Sequence, residues 1–308
     1  MAPELHSTPH RGHTPRAATA LAALVLLAGL AAPAAAQQQP WTGLRAMGMA
    51  DAFVGGGSGT SAIYHNPAGI SLAPIYSAEL GYLHNIGPNL HTLGVGIADG
   101  ATNPNFGGAI AYNLTIGDGR FGDDGLEGTR DHDLRAALTV PIVPQRITFG
   151  FGTRYVNFSR GTREELAANQ FRAYGFGFDL GLIAAVIPEF AVGVSFLNLG
   201  APEDANLPRT LRAGTALFLG PLHLELDYGA DFDSADDTTS TFAVGTEISI
   251  ANTVPVRAGF RHEGLTDRNV LTGGIGYRTP EGGIDAAIVA NPSTPRDIAF
   301  AFSLLGYF

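Results

Sequence analysis

The chain contains no cysteine and no lysine; all 18 of its basic residues are arginine. Without cysteine there is no disulfide framework, no thiolate metal site and no thiol nucleophile. Without lysine there is no P-loop lysine, no Schiff base and no Ser–Lys pair. Long apolar runs are also scarce. One lies near the N-terminus, Ala17 to Ala32, yet 45% of the residues are hydrophobic. Basic charge is short overall, with a net charge of −10, which argues against a nucleic-acid partner.

The single apolar run reads as part of a secretory signal peptide over 1–36. Arg11 and Arg16 precede it, and Ala34-Ala35-Ala36 before Gln37 fits a small-x-small cleavage site. The remaining apolar residues fall in short alternating segments separated by Gly, Pro, Asn and Asp. That pattern fits a transmembrane β-barrel and also a soluble sandwich or jelly roll.

Fourteen strands are expected near 76–84, 90–98, 105–116, 131–140, 146–158, 171–186, 190–197, 209–219, 222–232, 240–250, 254–262, 269–279, 283–290 and 297–308. Their connections alternate between short turns and longer, more acidic loops. A barrel with one turn-bearing and one loop-bearing end explains this alternation; a sandwich does not. The expected fold is therefore all-β, a fourteen-stranded antiparallel transmembrane barrel over 76–308. An even strand number returns the C-terminus to the side of the N-terminus.

The strand faces differ. At 171–186, Tyr174, Phe176, Phe178, Leu180 and Leu182 alternate with Ala173, Gly175, Gly177, Asp179 and Gly181. At 222–232, Leu222, Leu224, Leu226 and Tyr228 alternate with His223, Glu225, Asp227 and Gly229. Glycine on the polar face tips the balance toward a lumen, because soluble sheets rarely expose glycine to solvent. The polar face predicts a lumen lined by Arg135, Arg154, Asp179, Arg212, His223, Glu225, Asp227, Glu247, Arg257, Arg278 and Asp285. Opposite charges follow one another on neighbouring strands: Arg212 with Glu225 and Asp227, Glu247 with Arg257, Arg278 with Asp285. Such pairs serve a polar conduit or fix strand register, and register is the larger expectation.

Ahead of the strands, residues 37–75 show no alternation. The run Leu44 to Phe53 is helix-compatible, and Gly55-Gly56-Gly57 breaks it. A second short helix is expected at Pro67, with Asn66 as its N-cap. This segment reads as a hatch inside the barrel, with the glycine run as its hinge; a surface-packed extension is the alternative. Inward glycines at 150, 152, 175 and 177 are expected to make room for it. Deletion of the hatch, 43–70, is expected to leave an open pore.

Catalytic signals are poor. Gly56–Thr60 fails the G-x-S-x-G pattern, and G-x-G-x-x-G does not occur. His65, His84, His91, His132, His223 and His262 show no metal-ligand spacing. The acidic stretches Asp118 to Glu127 and Asp231 to Asp237 lack the EF-hand order. His223, Glu225 and Asp227 share a face, but lumen lining explains them better than acid–base chemistry. No enzyme, metal or cofactor is expected.

The stretch GLRAMGMADAFVGGGSGTSAIYHNPAGI, through Arg45, Gly48, Ala52, Phe53, Ala62 and Asn66-Pro67-Ala68-Gly69, resembles the N-terminal signature of the FadL-like outer-membrane superfamily. That group includes long-chain fatty-acid transporters, aromatic-hydrocarbon channels and the PorV/PorQ proteins of protein secretion. LPRTLRAG at 207–214 and VPVRAGFRHEG at 254–264 are similar to the PorV side. The resemblance implies a fourteen-strand barrel with an N-terminal hatch, in which Arg45, Gly48, Phe53, Gly55, Gly56, Gly57, Asn66, Pro67, Ala68 and Gly69 form the gate. It implies uptake of a small hydrophobic ligand, or a non-conducting accessory that binds a secreted protein. The long loops of fatty-acid transporters are missing here. The last strand carries Phe300, Phe302 and Leu304 and ends on Phe308. It resembles the signal read by the barrel-assembly machinery, so outer-membrane lipid and that machinery are the expected surroundings.

Overall fold

The computed structural model describes residues 38–117, 128–161, 172–204, 207–233 and 238–308. The expected signal peptide and the acidic stretch 118–127 lie outside them, as does 234–237. Fourteen strands form one closed antiparallel barrel. They are β1 Tyr76–Asn85, β2 Leu90–Asp99, β3 Gly107–Gly117, β4 Gly128–Val143, β5 Ile147–Gly161, β6 Arg172–Ile187 and β7 Phe190–Leu199. The wall continues with β8 Thr210–Leu219, β9 Leu222–Asp231, β10 Thr239–Ile250, β11 Val254–Glu263, β12 Arg268–Thr279, β13 Gly282–Ala290 and β14 Ile298–Tyr307. Each strand pairs with the next in sequence. Closure is by β1 on β14, from Ser77↔Tyr307 to Asn85↔Ala299. No strand edge is left to attract another chain.

The strands agree with the sequence expectation to within a few residues, because period-2 alternation and turn residues are both local signals. The two faces are inverted relative to a soluble barrel. Every strand exposes large apolar side chains, among them Leu80, Leu93, Ile110, Leu138, Phe151, Phe176, Val194, Leu226, Ile275 and Phe302. The opposite face buries charge: Asp133, Arg135, Arg154, Asp179, Glu225, Asp227, Glu247, Arg257, Arg261, Arg268 and Asp285 all lie below a tenth exposure. Phe308, at 83% exposure, packs edge-on against Tyr76.

The N-terminal segment contains α1 Leu44–Gly48, a 3-10 turn Gly59–Ser61, α2 Ala62–His65 and a second 3-10 turn Pro67–Ser71. The helix expected over Leu44–Phe53 stops after Gly48. Met49 N–H and Ala50 N–H reach back only three residues, and Ala50 and Asp51 adopt φ of 56° and 60°. The cause is tertiary. The Asp51 carbonyl and carboxylate are held by Arg212, Gln39, Thr42 and Arg261, which the helix would turn away from them.

Candidate functional site

The N-terminal segment touches the charged face of the wall, and glycine makes that approach possible. A Cβ on Gly81 or Gly94 would strike the indole of Trp41. On Gly181 it would meet the Asn66 side chain, on Gly193 the Val54 carbonyl, and on Gly245 or Gly259 the backbone of Met49 and Ala50. Gly150 meets Pro67 and Ala68, as expected from sequence. Gly152, Gly175 and Gly177 do not touch the segment. Asp179 covers the first, and Pro202 and Ala201, on the β7–β8 connection, cover the others. A glycine marks close approach but not what approaches, so sequence assigned these three to the wrong neighbour.

Gly55, Gly56 and Gly57 are buried. A Cβ on each would meet, in turn, the Thr215 backbone, Ala216 with Phe218, and Phe53. Their amides matter as much as their missing side chains. Glu225 Oε2 accepts from Gly55 N–H and Gly56 N–H at 3.1 and 3.2 Å. Asp227 Oδ2 accepts from Phe53 N–H and Val54 N–H at 2.7 and 3.0 Å. Two wall carboxylates thus bind four consecutive amides of the segment. Charge-assisted bonds of this kind are roughly twice as strong as neutral ones.

A second network starts at Arg45. Its guanidinium donates to both oxygens of Glu247, at 2.8 and 3.0 Å, and to His223 Nδ1 at 3.2 Å. Glu247 also accepts from Arg257 at 2.6 Å, and Arg257 reaches Asp285 at 3.1 Å. Arg278 completes the row on Asp285. The pairs Glu247–Arg257 and Arg278–Asp285 are those expected from sequence. Arg212 meets the expectation in part. It lies 3.5 Å from Asp227 but makes no described bond to Glu225, which faces His223 Nε2 at 3.0 Å and takes the glycine amides. Neighbouring-strand order gives candidates for pairing, whereas the approach of the segment selects among them.

The third network holds Asp51. Thr42 Oγ1 donates to it at 2.6 Å and Gln39 Nε2 at 3.1 Å, and Arg261 pairs with it. Arg212 donates to the Asp51 carbonyl at 2.8 Å and to His65 Nδ1 at 3.0 Å. Burial alone would raise the Asp51 carboxyl, but Arg261 and then His65 and the Thr42 hydroxyl hold it down at about 2. Burial pushes His65 down to about 3; Asp51 offsets this in part, and Arg212 and Arg135 reinforce it. His65 is therefore a neutral imidazole that accepts from Arg212.

Asn66 does more than the sequence indicated. Its Oδ1 accepts from Ala68 N–H at 3.1 Å, the expected cap, with Pro67 at the first helical position. Its amide donates to Val54 O at 3.0 Å and to Leu182 O and Val194 O on the wall. Gly48 O accepts from Thr272. Asp179 and Arg154 are joined through Asn198, while Arg154 and Arg135 share Asp133. Sequence reasoning passed over Asp51, Glu79, Asp133, Arg261 and Arg268. For the four strand residues, alternation within the strands was the available signal; nothing local in the sequence marked Asp51.

Between segment and wall, a cavity of about 170 Å³ opens near the β10–β11 turn, lined by Arg45, Glu79, Glu247, Arg257 and Tyr307. Among the described residues no cluster of three or more metal-ligating side chains occurs.

No protein-family model matches the chain, and no curated protein sequence matches it. Solved structures do. The CymD monoaromatic hydrocarbon channel aligns with a TM-score of 0.63 at 14% identity, over 87% of this chain and 97% of that one. A Pseudomonas aeruginosa FadL homologue gives 0.62 at 15% identity, over 89% and 99%. The P. putida toluene transporter TodX gives 0.58 at 13% identity, over 85% and 98%. The fold is that of the FadL-type channels. At this identity the likeness concerns the fold, and the PorV-like accessory expected as an alternative finds no support in these matches.

Proposed function

We propose that this protein is an outer-membrane barrel, plugged by residues 37–75, that takes up small hydrophobic molecules. The observation that carries the reading is the inverted wall: apolar outside on all fourteen strands, charged where the N-terminal segment packs. Soluble monomers rarely expose apolar patches beyond a few hundred Å², on the order of one face of a small sheet. An apolar belt around a closed barrel suits hydrocarbon, and a hydrogen-bonded closed sheet satisfies its own backbone there. Strands of 9–16 residues are long enough to cross at a tilt.

The contacts of the segment are spread over strands around the whole wall, from β1 and β3 through β7 to β12, which supports a position in the lumen. The hydrocarbon specificity of CymD and TodX then favours small apolar cargo. Passage requires the segment to move, and the glycine run between two anchored parts is where we place that movement. The terminal Phe308 would be read by the barrel-assembly machinery.

Two measurements test this. In planar bilayers the wild type should be silent and a folded deletion of 43–70 should conduct; equal conductance would put the segment outside the lumen. In cells lacking other hydrocarbon channels, the gene should raise the uptake rate of a monoaromatic hydrocarbon. An unchanged rate with a correctly inserted barrel would sink the transport role.

A further inference from the structure

Four of the six histidines beyond the N-terminal leader lie on the exposed face of the wall, and all four lie toward one end. His84 is one residue from the end of β1, His91 one from the start of β2, His132 four from the start of β4, and His262 one from the end of β11. This is the end that bears the longer connections, including the β3–β4 and β5–β6 ones. Arg130 joins them. Among described side chains it is the one strand arginine on the exposed face, and it makes no ion pair with a described residue.

Strand register arranges three of these groups in a line. His84 faces His91, His91 faces Ile116, and Ile116 faces Arg130. Three strand spacings put the ends of the line about 14 Å apart. His132 sits on the same strand as Arg130, two residues further on and on the same face. Behind the row Tyr82, Leu93, Leu114, His132, the wall reads Leu80, Val95, Tyr112, Leu134, which marks the transition to the apolar belt. No carboxylate interrupts the exposed face of β1–β4 among the described residues except Asp99, at the opposite end.

The side chains are held in place. His84 and His91 stack with ring centres 4.4 Å apart. Tyr82 Oη lies 2.7 Å from His91 Nδ1, and Tyr112 Oη lies 2.7 Å from His132 Nδ1. Each bond engages Nδ1 and leaves the Nε2 edge of the ring for a ligand. Two tyrosines thus hold two histidines beside a guanidinium that pairs with no described residue.

We propose that Arg130, His132 and His91, set by Tyr82 and Tyr112 and with His84 stacked against His91, form a docking site for the phosphate groups of a lipid in the surrounding leaflet. The site stands at the border of the apolar belt, where headgroups lie, and no described carboxylate shares its face at that end of β1–β4. A lipid suits it better than a soluble anion because the acyl chains would rest on the Leu80–Leu134 row directly beside it. This inference rests on the membrane reading above.

The test uses the full barrel reconstituted in phosphatidylcholine vesicles doped with bisphosphorylated lipid A or with phosphatidylglycerol. Lipid retained after detergent extraction is counted by native mass spectrometry. The wild type should keep lipid A in preference to phosphatidylglycerol. Arg130→Gln should lower that retention about fivefold, the worth of one cation at a membrane surface. His91→Gln/His132→Gln should lower it further, while Arg146→Gln, in the β4–β5 turn at the other end, should leave it unchanged. Heat-modifiable gel mobility confirms that each variant is folded. Equal retention of the two lipids, equal loss with Arg146→Gln, or displacement by inorganic phosphate alone overturns the site. Failure of the wild type to insert into either vesicle overturns the membrane reading and the site with it.

Discussion

Arg45 and Glu247 meet through hydrogen bonds to both carboxylate oxygens, the shortest 2.8 and 3.0 Å long, although 202 residues separate them in the chain. Glu247 also serves Arg257 on the neighbouring strand. The N-terminal segment is therefore not laid over a finished wall; it supplies one of the counter-ions on which the wall depends. The Arg45 side chain keeps 27% exposure and Arg257 only 1%.

That asymmetry predicts an order of effects. Glu247→Ala leaves Arg45 without a carboxylate and Arg257 with Asp285 alone, and should cost roughly 3–5 kcal/mol, as for a broken buried pair. Arg45→Ala should cost less, because water reaches its site. The double variant Glu247→Ala/Arg257→Ala should lose much less than the sum of the two single changes. Urea midpoints of these variants and of Arg257→Ala measure the effects, and additive losses would show that the residues do not couple.

His65 predicts a pH dependence. Its imidazole is lowered from the ordinary 6.5 to about 3, so the folded protein refuses a proton that the unfolded chain accepts. Stability should therefore fall as pH drops from 6.5 toward 3, by at most about 1.4 kcal/mol per pH unit from this group. Asp51 acts in a lower window: its contribution is complete above 3.8 and is lost as pH falls through about 2. His65→Gln keeps an acceptor for Arg212 and should flatten the stability profile between pH 6.5 and 5. An identical slope in both proteins would remove His65 from the account.

Asn66 predicts a separation of two roles. Asn66→Asp retains the acceptor for Ala68 N–H but loses the donor to Val54, Leu182 and Val194. Asn66→Ala loses both. The cap is worth about 1 kcal/mol and stranded buried carbonyls about 1–3 kcal/mol more. Hydrogen exchange of the Ala68–Ser71 amides should rise most in the alanine variant, and protection unchanged from wild type would refute the cap.

Trp41 is the sole tryptophan and is 4% exposed, packed where Gly81 and Gly94 leave no side chain. Gly81→Leu should expel the indole and shift its emission to the red, while the strand content by circular dichroism stays the same. Emission unchanged from wild type would mean that Trp41 does not rest on that wall.

Much of this was legible in the sequence. Strand positions follow from alternation and turn residues, which act over a few neighbours, and the exposed apolar row 174, 176, 178 could be read directly. The Asn66 cap and the pairs Glu247–Arg257 and Arg278–Asp285 were legible for the same reason: each joins residues close in sequence or on consecutive strands. The resemblance of 43–70 to the FadL-like signature pointed to the barrel that the fold comparison returned.

Three features depended on contacts between distant residues. Helix α1 ends at Gly48 because Arg212 and Arg261, from β8 and β11, claim Asp51. Glu225 leaves Arg212 for the amides of Gly55 and Gly56. Gly175 and Gly177 receive the β7–β8 connection instead of the N-terminal segment. By itself the sequence determined the alternation, and with it the number of strands and the chemistry of each face, since side-chain direction along a strand has a fixed period of two. Only the tertiary structure decided which buried charge meets which partner. A charge removed from water takes the nearest group of opposite sign or the nearest free amide, and closing the barrel brings those groups together from every part of the chain.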